Sequence, residues 1–375
     1  MMNAQSLAPS RRLRPSAAAA LVAAGALALT GCSSAATSSG GSTSSSSAAA
    51  GEVGVSLIVK TTTNPFFVAM ENGAKAAAAT SGVKLTLAAG TKDGDEATQI
   101  TAIENAISQG QKGILITPNG NGVVDALNKA RAAGLYVIAL DTPPDPTSAV
   151  DITFATDNFD AGKRIGAWAA GHLAGADATI ALLDLFNDKI VSVDYNRDQG
   201  FLTGMGIDTK DAKANGDEAK TGTYTGGKGG KYTIVCNEPT QGAEDGGTTA
   251  METCLSKNPN INVVYTINEP AAYGAYQALK NAGKEKGVTL VSVDGGCAGV
   301  GYVKDGIIGA TSQQYPVKMA DAGVKAIADL VKSGTKPSTS TGLDFFNTGV
   351  TLVTDSPVTG VDSIDSTAGA KICWG

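Results

Sequence analysis

The feature that most constrains the fold is a regular alternation of short, β-rich apolar runs with helical stretches. Four apolar runs in the first part of the chain have the length and composition of buried strands: residues 53–59, 83–88, 113–117 and 136–140. Helical periodicity, with Pro, Asp or Asn near each start, fills the gaps over residues 65–80, 95–109 and 121–133. This alternation predicts a parallel sheet covered by helices on both faces.

The same alternation restarts after residue 157. The pattern predicts helices over 157–173, 191–206, 242–257, 269–282 and 316–332, with strands over 178–184, 232–236, 262–266, 288–293 and 307–312. The Gly- and Lys-rich stretch 208–230 is predicted to be a surface insertion, and residues 349–354 to be extended. We therefore expect an α/β protein with two doubly wound parallel-sheet lobes in tandem.

The length of the chain also favours two lobes. About 325 residues follow residue 50, more than a single core usually organises. We expect an N-terminal lobe of residues 51–155 plus about 315–345, and a C-terminal lobe of 156–314 plus about 346–375. Three crossovers near residues 155, 314 and 345 would form the hinge between them.

The first 50 residues have the composition of a targeting segment and a tether. Arg11, Arg12 and Arg14 precede an apolar run over residues 17–29 that is too short to span a bilayer. The run ends in Leu29-Thr30-Gly31-Cys32, which resembles the lipobox of bacterial lipoproteins. That resemblance implies that residues 1–31 are a signal peptide, that Cys32 is acylated, and that the chain is exported and anchored to the outer face of the cell membrane.

Two other interpretations of this segment stay open. It could be an ordinary signal peptide with a chance cysteine, and the Arg11-Arg12 pair could belong to a twin-arginine signal. Residues 32–50 are nearly all Ser, Thr, Ala and Gly, which predicts a flexible tether. A net charge of −6 argues against nucleic acid as a partner.

Cysteine usage fits an oxidising compartment. If Cys32 carries lipid, four cysteines remain, and they allow three pairings. We favour Cys236 with Cys254, which closes a short strand-to-helix loop, and Cys297 with Cys373, which would fix the C-terminal segment; four free, buried thiols are the alternative. Because the chain has no CxxC motif, we expect neither a zinc site nor a redox site. We also expect no other metal site and no cofactor.

Amide and carboxylate side chains follow the predicted strands. These strand ends carry Asn64-Pro65-Phe66-Phe67, Thr117-Pro118-Asn119, Asp141-Thr142, Asn268-Glu269-Pro270, Asp294-Gly295-Gly296 and Gln313-Gln314. In open parallel sheets, ligands bind beyond the carboxyl ends of the strands. Carboxylates and amides match the vicinal hydroxyls of a sugar, and a phenyl face covers its C–H face. Singly, such residues are often helix caps or core residues, but together they predict a polyol site.

Several segments give the chain a family resemblance. The segments Thr63-Asn64-Pro65-Phe66-Phe67-Val68, residues 265–275 (YTINEPAAYGA) and Val291-Ser292-Val293-Asp294-Gly295-Gly296 resemble motifs of periplasmic sugar-binding proteins of the ribose-binding type. Residues 154–158 (FATDN), 197–201 (RDQGF), 310–316 (ATSQQYP) and 373–375 (CWG) are most similar to fructose-binding components of bacterial ABC transporters.

The resemblance implies a type I periplasmic binding protein, expected as a monomer, that delivers a monosaccharide to an ABC permease. Fructose is the favoured sugar. It places Asn64, Phe66, Phe67 and Asp141 on the ligand from the first lobe, and Arg197, Asn268, Asp294 and Gln314 from the second. Asn119 joins the set by its place at a strand end. A sensor for ribose, xylose or inositol that signals through a receptor is the alternative.

The sequence departs from the ribose type in two places. Val293 stands where that group has an aromatic residue, and the stretch 208–230 has no clear counterpart. Enzymes are disfavoured, because the one histidine, His172, lies in a helical pattern and no GxSxG motif is present. A sugar-responsive transcription regulator would need a DNA-binding segment ahead of residue 51, where this chain has the signal and tether.

Overall fold

The structure, a computed structural model, describes residues 52–375. The predicted signal peptide, the Cys32 lipidation site and the whole predicted tether lie outside the described residues. The strands are β1 (Val53–Val59), β2 (Val83–Ala89), β3 (Gly113–Ile116), β4 (Tyr136–Leu140), β5 (Ile152–Ala155), β6 (Ala178–Asp184), β7 (Thr221–Tyr224), β8 (Gly230–Pro239), β9 (Val263–Thr266), β10 (Thr289–Asp294), β11 (Ala310–Gln313), β12 (Phe346–Asn347) and β13 (Thr351–Val353).

Ten α-helices of the described residues cover these strands. They are α1 (Pro65–Ser81), α2 (Glu96–Ser108), α3 (Val124–Ala132), α4 (Asn158–Leu173), α5 (Ser192–Met205), α6 (Glu244–Lys257), α7 (Glu269–Asn281), α8 (Cys297–Lys304), α9 (Pro316–Ser333) and α10 (Ser366–Gly369). Within residues 52–375, no helix has the length and apolar character needed to cross a membrane.

The strands form two sheets, each the centre of one lobe. The first sheet has the order β12-β5-β4-β3-β1-β2 and is parallel throughout. The second has the order β13-β11-β10-β9-β6-β8-β7, with a parallel centre and antiparallel strands at both edges. Helices α1 and α9 pack on one face of the first sheet and α2 and α3 on the other, while α4 and α5 face α6 and α7 across the second. The predicted two-lobed α/β fold is confirmed.

The chain passes between the two sheets at three places. It leaves the first sheet after β5, returns to it after β11 through α9, and leaves it again between β12 and β13. The crossover segments are therefore short, and each begins where a strand ends. Short connections of this kind can act as a hinge because few residues must change their backbone angles.

Short elements were missed by the sequence pattern. Strand β7 lies inside the stretch 208–230, where its four residues are mostly exposed, so no buried periodicity marked it. Its antiparallel pairing with β8 extends the second sheet, and within the predicted insertion residues 208–220 and 225–229 lack a helix or strand. Strand β5 has four residues, and α8 is rich in glycine, so neither gave a clear pattern.

Helix starts follow the predicted capping chemistry. The Asn64 side chain accepts a hydrogen bond from the Phe66 amide at the start of α1, with Pro65 as the first helical residue. Asp95, Asp157 and Asn268 cap α2, α4 and α7 in the same way. These caps fix where each helix leaves the carboxyl end of its preceding strand.

Helices α4 and α5 touch through glycines. A Cβ added at Gly162 or Gly166 of α4 would overlap the carbonyl oxygens of Arg197 and Phe201 on α5. Gly200 and Gly204 of α5 face α4 backbone in turn. The backbone of Arg197 is therefore held directly against its neighbouring helix.

We expect Gly166→Ala to lower the free energy of unfolding by about 1–3 kcal/mol, because the added methyl group must push the two backbones apart. Urea denaturation measures the change. Gly301→Ala is the matched control, since Gly301 is also helical but the described residues leave open space within 4 Å of its added Cβ. That control should be neutral or stabilising by up to about 1 kcal/mol. Equal effects of the two substitutions would contradict the close crossing.

Candidate functional site

A small cavity lies between the carboxyl ends of the two sheets. Its volume is about 30 Å³, enough for one or two water molecules. Eight of the nine residues predicted to bind the ligand line it: Asn64, Phe66, Phe67, Asp141, Arg197, Asn268, Asp294 and Gln314. Leu185, Val193 and Ile267 supply apolar wall.

Arg197 occupies the centre of this site. The side chain, 4% exposed, donates from Nε to Asn158 Oδ1 over 2.8 Å and from Nη1 to the Ile267 carbonyl over 2.9 Å. Its Nη2 lies 3.7 Å from Asp141 Oδ1, and its Nη1 lies 3.9 Å from Asp294 Oδ1. Both separations exceed a direct hydrogen bond, so the guanidinium compensates two carboxylates while their oxygens can still accept other donors.

Both aspartates sit on unusual backbone. Asp141 has φ 62° and Asp294 has φ 136°, which non-glycine residues seldom adopt. Asp141 Oδ2 accepts from the Thr142 hydroxyl over 2.7 Å, and Asp294 Oδ1 accepts from Gln314 Nε2 over 2.7 Å. Asp141 Oδ1 is buried and has no hydrogen-bond partner among the described residues. Backbone strain at such positions is typical of functional sites.

A buried glutamate fixes the loop after Asp294. The Glu269 carboxylate accepts from the amides of Gly295 and Gly296 and from the Thr311 hydroxyl, over 2.8–3.0 Å. Burial, and secondarily the charge of Asp294, raises the pKa of Glu269 to about 8. Burial likewise raises the pKa of Asp294 to about 6, although Arg197 and the Gln314 hydrogen bond oppose the shift.

An aromatic cluster supports the apolar side of the site. The Phe66 ring makes edge contacts with the rings of Phe67 and Trp374, each with centroids 5.3 Å apart. The Trp374 indole donates from Nε1 to the Gln314 carbonyl over 2.7 Å. Trp374 therefore positions Phe66 and Gln314, although it does not itself line the small cavity.

The C-terminal segment that carries Trp374 is fastened by a disulfide. Cys297 at the start of α8 is bonded to Cys373, and Cys236 of β8 is bonded to Cys254 of α6. The structure thus contains the two pairs that the sequence analysis favoured among three. The Cys297–Cys373 bond anchors Trp374 beside the site.

Asn119 is the predicted site residue that the structure does not bring into the cavity. Its side-chain amide donates to the carbonyls of Lys60 and Asp95 and accepts from the Gly94 amide. These bonds commit the side chain to holding the loops that follow β1 and β2. Asn119 therefore supports the wall of the site from behind.

Two asparagines that do line the cavity also have structural duties. The side-chain oxygens of Asn64 and Asn268 each cap a helix, and the Asn268 amide group donates to the Gly242 carbonyl over 3.0 Å. Their contribution to ligand binding is accordingly limited to the groups that these bonds leave free.

Lys60 and Asp93 line the cavity and were missed by the sequence analysis. Lys60 Nζ lies 3.9 Å from Asp93 Oδ1, and both side chains are buried. Burial raises the pKa of Asp93, and the Lys60 charge opposes that shift. The sequence contained a signal for both residues, because Lys60 directly follows β1 and Asp93 lies in the loop after β2. In the same loop, Asp95 caps α2, whereas Asp93 faces the cavity.

The arrangement suits a neutral ligand rich in hydroxyls. Three carboxylates and two cations nearly balance in charge, and aromatic rings cover one side. His172 stacks on the Trp168 ring of α4, with centroids 4.7 Å apart, and does not line the cavity. Among the described residues, no group of three or more His, Cys, Asp or Glu side chains could hold a metal ion.

Comparisons with known proteins agree with this architecture. Residues 55–336 match the family described as periplasmic binding protein domain. The D-allose-binding periplasmic protein of Escherichia coli is 27% identical over 287 residues, which cover 74% of this chain and 85% of that protein. The ribose import binding protein of Salmonella typhimurium is 28% identical over 283 residues, covering 75% and 86% of the two chains.

Solved structures share the fold. An ABC transporter solute binding protein from Agrobacterium vitis, determined with bound D-fucose, is 25% identical, has a TM-score of 0.69, and covers 86% of this chain and 100% of its own. A galactofuranose binding protein, 23% identical with a TM-score of 0.69, covers 85% and 97%.

These relatives are binding proteins and not enzymes, in agreement with the prediction from the sequence. The match to the family extends over both lobes and includes the strands whose ends form the cavity. The chain belongs to the periplasmic binding protein family, in the group that contains the ribose- and allose-binding proteins.

Proposed function

We propose that the chain captures a monosaccharide between its two lobes outside the cytoplasm and delivers it to an ABC permease, with fructose the favoured sugar. The observation that carries this proposal is the cavity itself, in which Asp141 and Phe66 from the first lobe face Arg197 and Asp294 from the second. A relative named for ribose import and another named for D-allose binding support the transport role. Fructose rests on the motif resemblance.

Contacts across the cleft support a mechanism of closure around the ligand. Ser192 donates to the Pro143 carbonyl and Lys189 to the Gly94 carbonyl, each over 2.6 Å, so the second lobe is bonded directly to the first. An exposed ion pair joins Lys213 to Asp145 over 2.7 Å at the rim. Because the cavity holds no more than one or two waters in this form, a sugar must enter while the lobes are apart.

Closure of the two lobes would make the shape of the protein depend on whether a sugar is bound. In the open form, the groups of one lobe face water, and binding a sugar to them first would bring the second lobe onto its remaining hydroxyls. The closed form then carries a surface that the open form lacks, and a permease that recognises it would accept only loaded protein. The three short crossovers would supply the hinge.

Isothermal calorimetry against a panel of sugars tests this proposal. Fructose, ribose, allose, xylose, D-fucose, glucose and inositol should be compared, and we expect one monosaccharide to bind at one site per chain. If another sugar binds and fructose does not, the fructose assignment is wrong while the transport role stands. If none of the panel binds, the monosaccharide function itself is wrong.

Asp141→Asn tests the site independently of the sugar's identity. Asparagine tolerates the positive φ at this position, so the fold should be retained, while one charged acceptor beside Arg197 is lost. We expect sugar binding to weaken by about 2–5 kcal/mol, as for the truncation of one partner in a buried, hydrogen-bonded charge pair. Asp125→Asn, an exposed change of the same kind on α3, should leave the affinity unchanged. Undiminished binding by Asp141→Asn would contradict the site.

We also propose that Cys32 is acylated and keeps the protein at the membrane, where a tether raises its effective concentration near a permease. The Leu29-Thr30-Gly31-Cys32 motif and the Ser- and Ala-rich segment after it support this proposal. Cys32→Ser should move the protein from the membrane fraction to the soluble extracytoplasmic fraction, as measured by immunoblotting. Release of the unaltered protein into the soluble fraction would contradict the anchor.

A further inference from the structure

A second group of polar side chains lies buried beneath α5, on the face of the second sheet that this helix covers. Leu182 of β6 pairs in register with Asn237 of β8 and Tyr265 of β9, so these side chains share one face. Asp184, two residues beyond Leu182, extends on the same face because side chains alternate along a strand. We call this group the α5 chamber.

Helix α5 closes the chamber with carboxylates of its own. Asp194 and Asp198 lie one helical turn apart, and Phe201, on the same side, stacks on the Tyr265 ring with centroids 5.0 Å apart. The segment 208–220 covers the remaining side: Gln199 Nε2 donates to the Ala214 carbonyl over 2.9 Å. A Cβ on Gly216 would lie 3.4 Å from the Asn237 amide nitrogen.

Many oxygens in the chamber have no hydrogen-bond partner among residues 52–375. They comprise both carboxylate oxygens of Asp184, Asp198 Oδ1, Gln199 Oε1, Asn215 Oδ1, Glu218 Oε2 and the Tyr265 hydroxyl. Asp184, Asp198 and Tyr265 are 0% exposed, and Gln199 is 2% exposed. One donor of the chamber, Asn237 Nδ2, is also buried without a partner. The oxygens other than the Tyr265 hydroxyl can only accept, so they outnumber the available donors, and buried acceptors without donors are rare in folded proteins.

The carboxylates of the α5 chamber also have few cationic side chains near them. Asp194 accepts from the amides of Leu185 and Phe186, and Glu218 pairs with Lys220 over 2.8 Å. In the described part of the chain, Asp184 and Asp198 have no cationic side chain within salt-bridge distance. Water could donate hydrogen bonds to these carboxylates, but it would not neutralise them.

The pKa values agree with that imbalance. Burial, and then the charge of Asp198, raises the pKa of Asp184 well above its ordinary value. Burial, and then Glu218, does the same for the pKa of Asp198.

A cavity borders the chamber. Its volume is about 250 Å³, and its lining includes Asp194, Asn215 and Asn237 of the chamber together with the cations Lys189 and Lys213. It has room for a hydrated ion and for the waters that such an ion retains.

We propose that the α5 chamber binds one divalent cation of the calcium type, held by Asp184 and Asp198 with the amide oxygens of Gln199 and Asn215 and with water. Calcium takes six to eight oxygens from carboxylates, amide carbonyls and water. A ligand set with two carboxylates agrees with the finding that no three His, Cys, Asp or Glu side chains converge in the described residues. The proposal gives the segment 208–220 a purpose, and it does not depend on which ligand the cleft binds.

The cation would also position the binding site. Arg197 lies on α5 directly before Asp198, so a cation that fixes Asp198 fixes the turn of helix that carries the guanidinium. Segment 208–220 also contributes Lys213, which pairs with Asp145 of the first lobe.

Calcium titration of the full-length chain, treated with EDTA and dialysed, tests the proposal. We expect calorimetry to show one saturable site, and about 1 mM calcium to raise Tm by at least about 3 °C over EDTA. Asp184→Asn with Asp198→Asn should weaken calcium binding by at least about 10-fold. Asp188→Asn, an exposed change of the same kind in the loop between β6 and α5, should bind calcium as the unaltered chain does.

Two results would overturn the proposal. One is the absence of both saturable heat and a Tm shift with calcium in the unaltered chain, a measurement that stands even if the double variant fails to fold. The other is a Tm of Asp198→Asn that equals or exceeds the Tm of the unaltered chain, both in EDTA and in calcium. That result would show that the Asp198 carboxyl is protonated in the folded protein.

Discussion

Replacing Arg197 with methionine should remove detectable sugar binding and lower the free energy of unfolding by about 3–5 kcal/mol, because it leaves two buried carboxylates without their shared cation. Methionine fills a similar volume, so lost packing contributes little. Urea denaturation at about pH 7 measures the stability, and calorimetry with the sugar identified by the panel measures the binding.

The pH dependence of this variant separates charge from packing. The folded-state pKa of Asp294 is already raised to about 6, and loss of Arg197, which opposes the shift, would raise it further. A carboxyl with a raised folded-state pKa favours the folded protein at low pH, and that advantage is lost as the pH rises through the folded-state pKa. The deficit of Arg197→Met relative to the unaltered chain should therefore shrink as the pH falls from about 7 to about 5.

Arg164→Met is the matched control for this prediction. Arg164 and Asp160 both lie on α4 and pair over 2.7 Å, and both side chains are more than a third exposed. A pair of this kind contributes about 0–1 kcal/mol. If Arg197→Met cost no more than Arg164→Met, the guanidinium would not be neutralising Asp141 and Asp294.

Removing the Cys297–Cys373 disulfide should reduce both stability and sugar affinity. The bond closes a loop with a sequence separation of 76 residues, for which loop-closure entropy predicts a loss of about 4.5 kcal/mol. Affinity should fall as well, because Cys373 holds Trp374 against Phe66 and beneath Gln314. Substitution of both cysteines by serine, followed by urea denaturation and calorimetry, measures the two effects.

The second disulfide provides the comparison. Cys236 and Cys254 are separated by 18 residues, so the same entropy argument predicts a loss of about 3 kcal/mol. Neither cysteine lines the cavity, and sugar affinity should be unchanged in the Cys236→Ser, Cys254→Ser variant. Equal losses of affinity in the two double variants would show that general destabilisation, and not release of Trp374, weakens binding.

Local chemistry explains why much of the fold was predictable. The Asn64-Pro65 start of α1, the Asp95 start of α2 and the Asn268 start of α7 are decided by neighbours a few residues away. Buried parallel strands such as β3 and β4 are continuous apolar runs, so their pattern is unambiguous. Strand β7 lacked such a signal because it is mostly exposed and exists through its pairing with β8.

The candidate site was predictable to the extent that its residues directly follow strands. Asp141 and Asp294 end or follow β4 and β10, and the structure places both beside Arg197. Asp93 was missed because a loop separates it from β2, and Asn119 was overvalued because its amide is consumed by neighbouring loops. The role of Trp374 depends on contacts between residues more than 300 positions apart, which no local pattern contains.

The exposed ion pair between Lys213 and Asp145 suggests a practical use of the proposed closure. These two side chains meet at the rim from opposite lobes, and both are about half exposed, so a label there would not disturb the buried site. An environment-sensitive dye attached through Lys213→Cys would leave water and approach Asp145 each time the lobes shut. The protein would then report sugar concentration as fluorescence, without a coupled enzyme or a radioactive ligand.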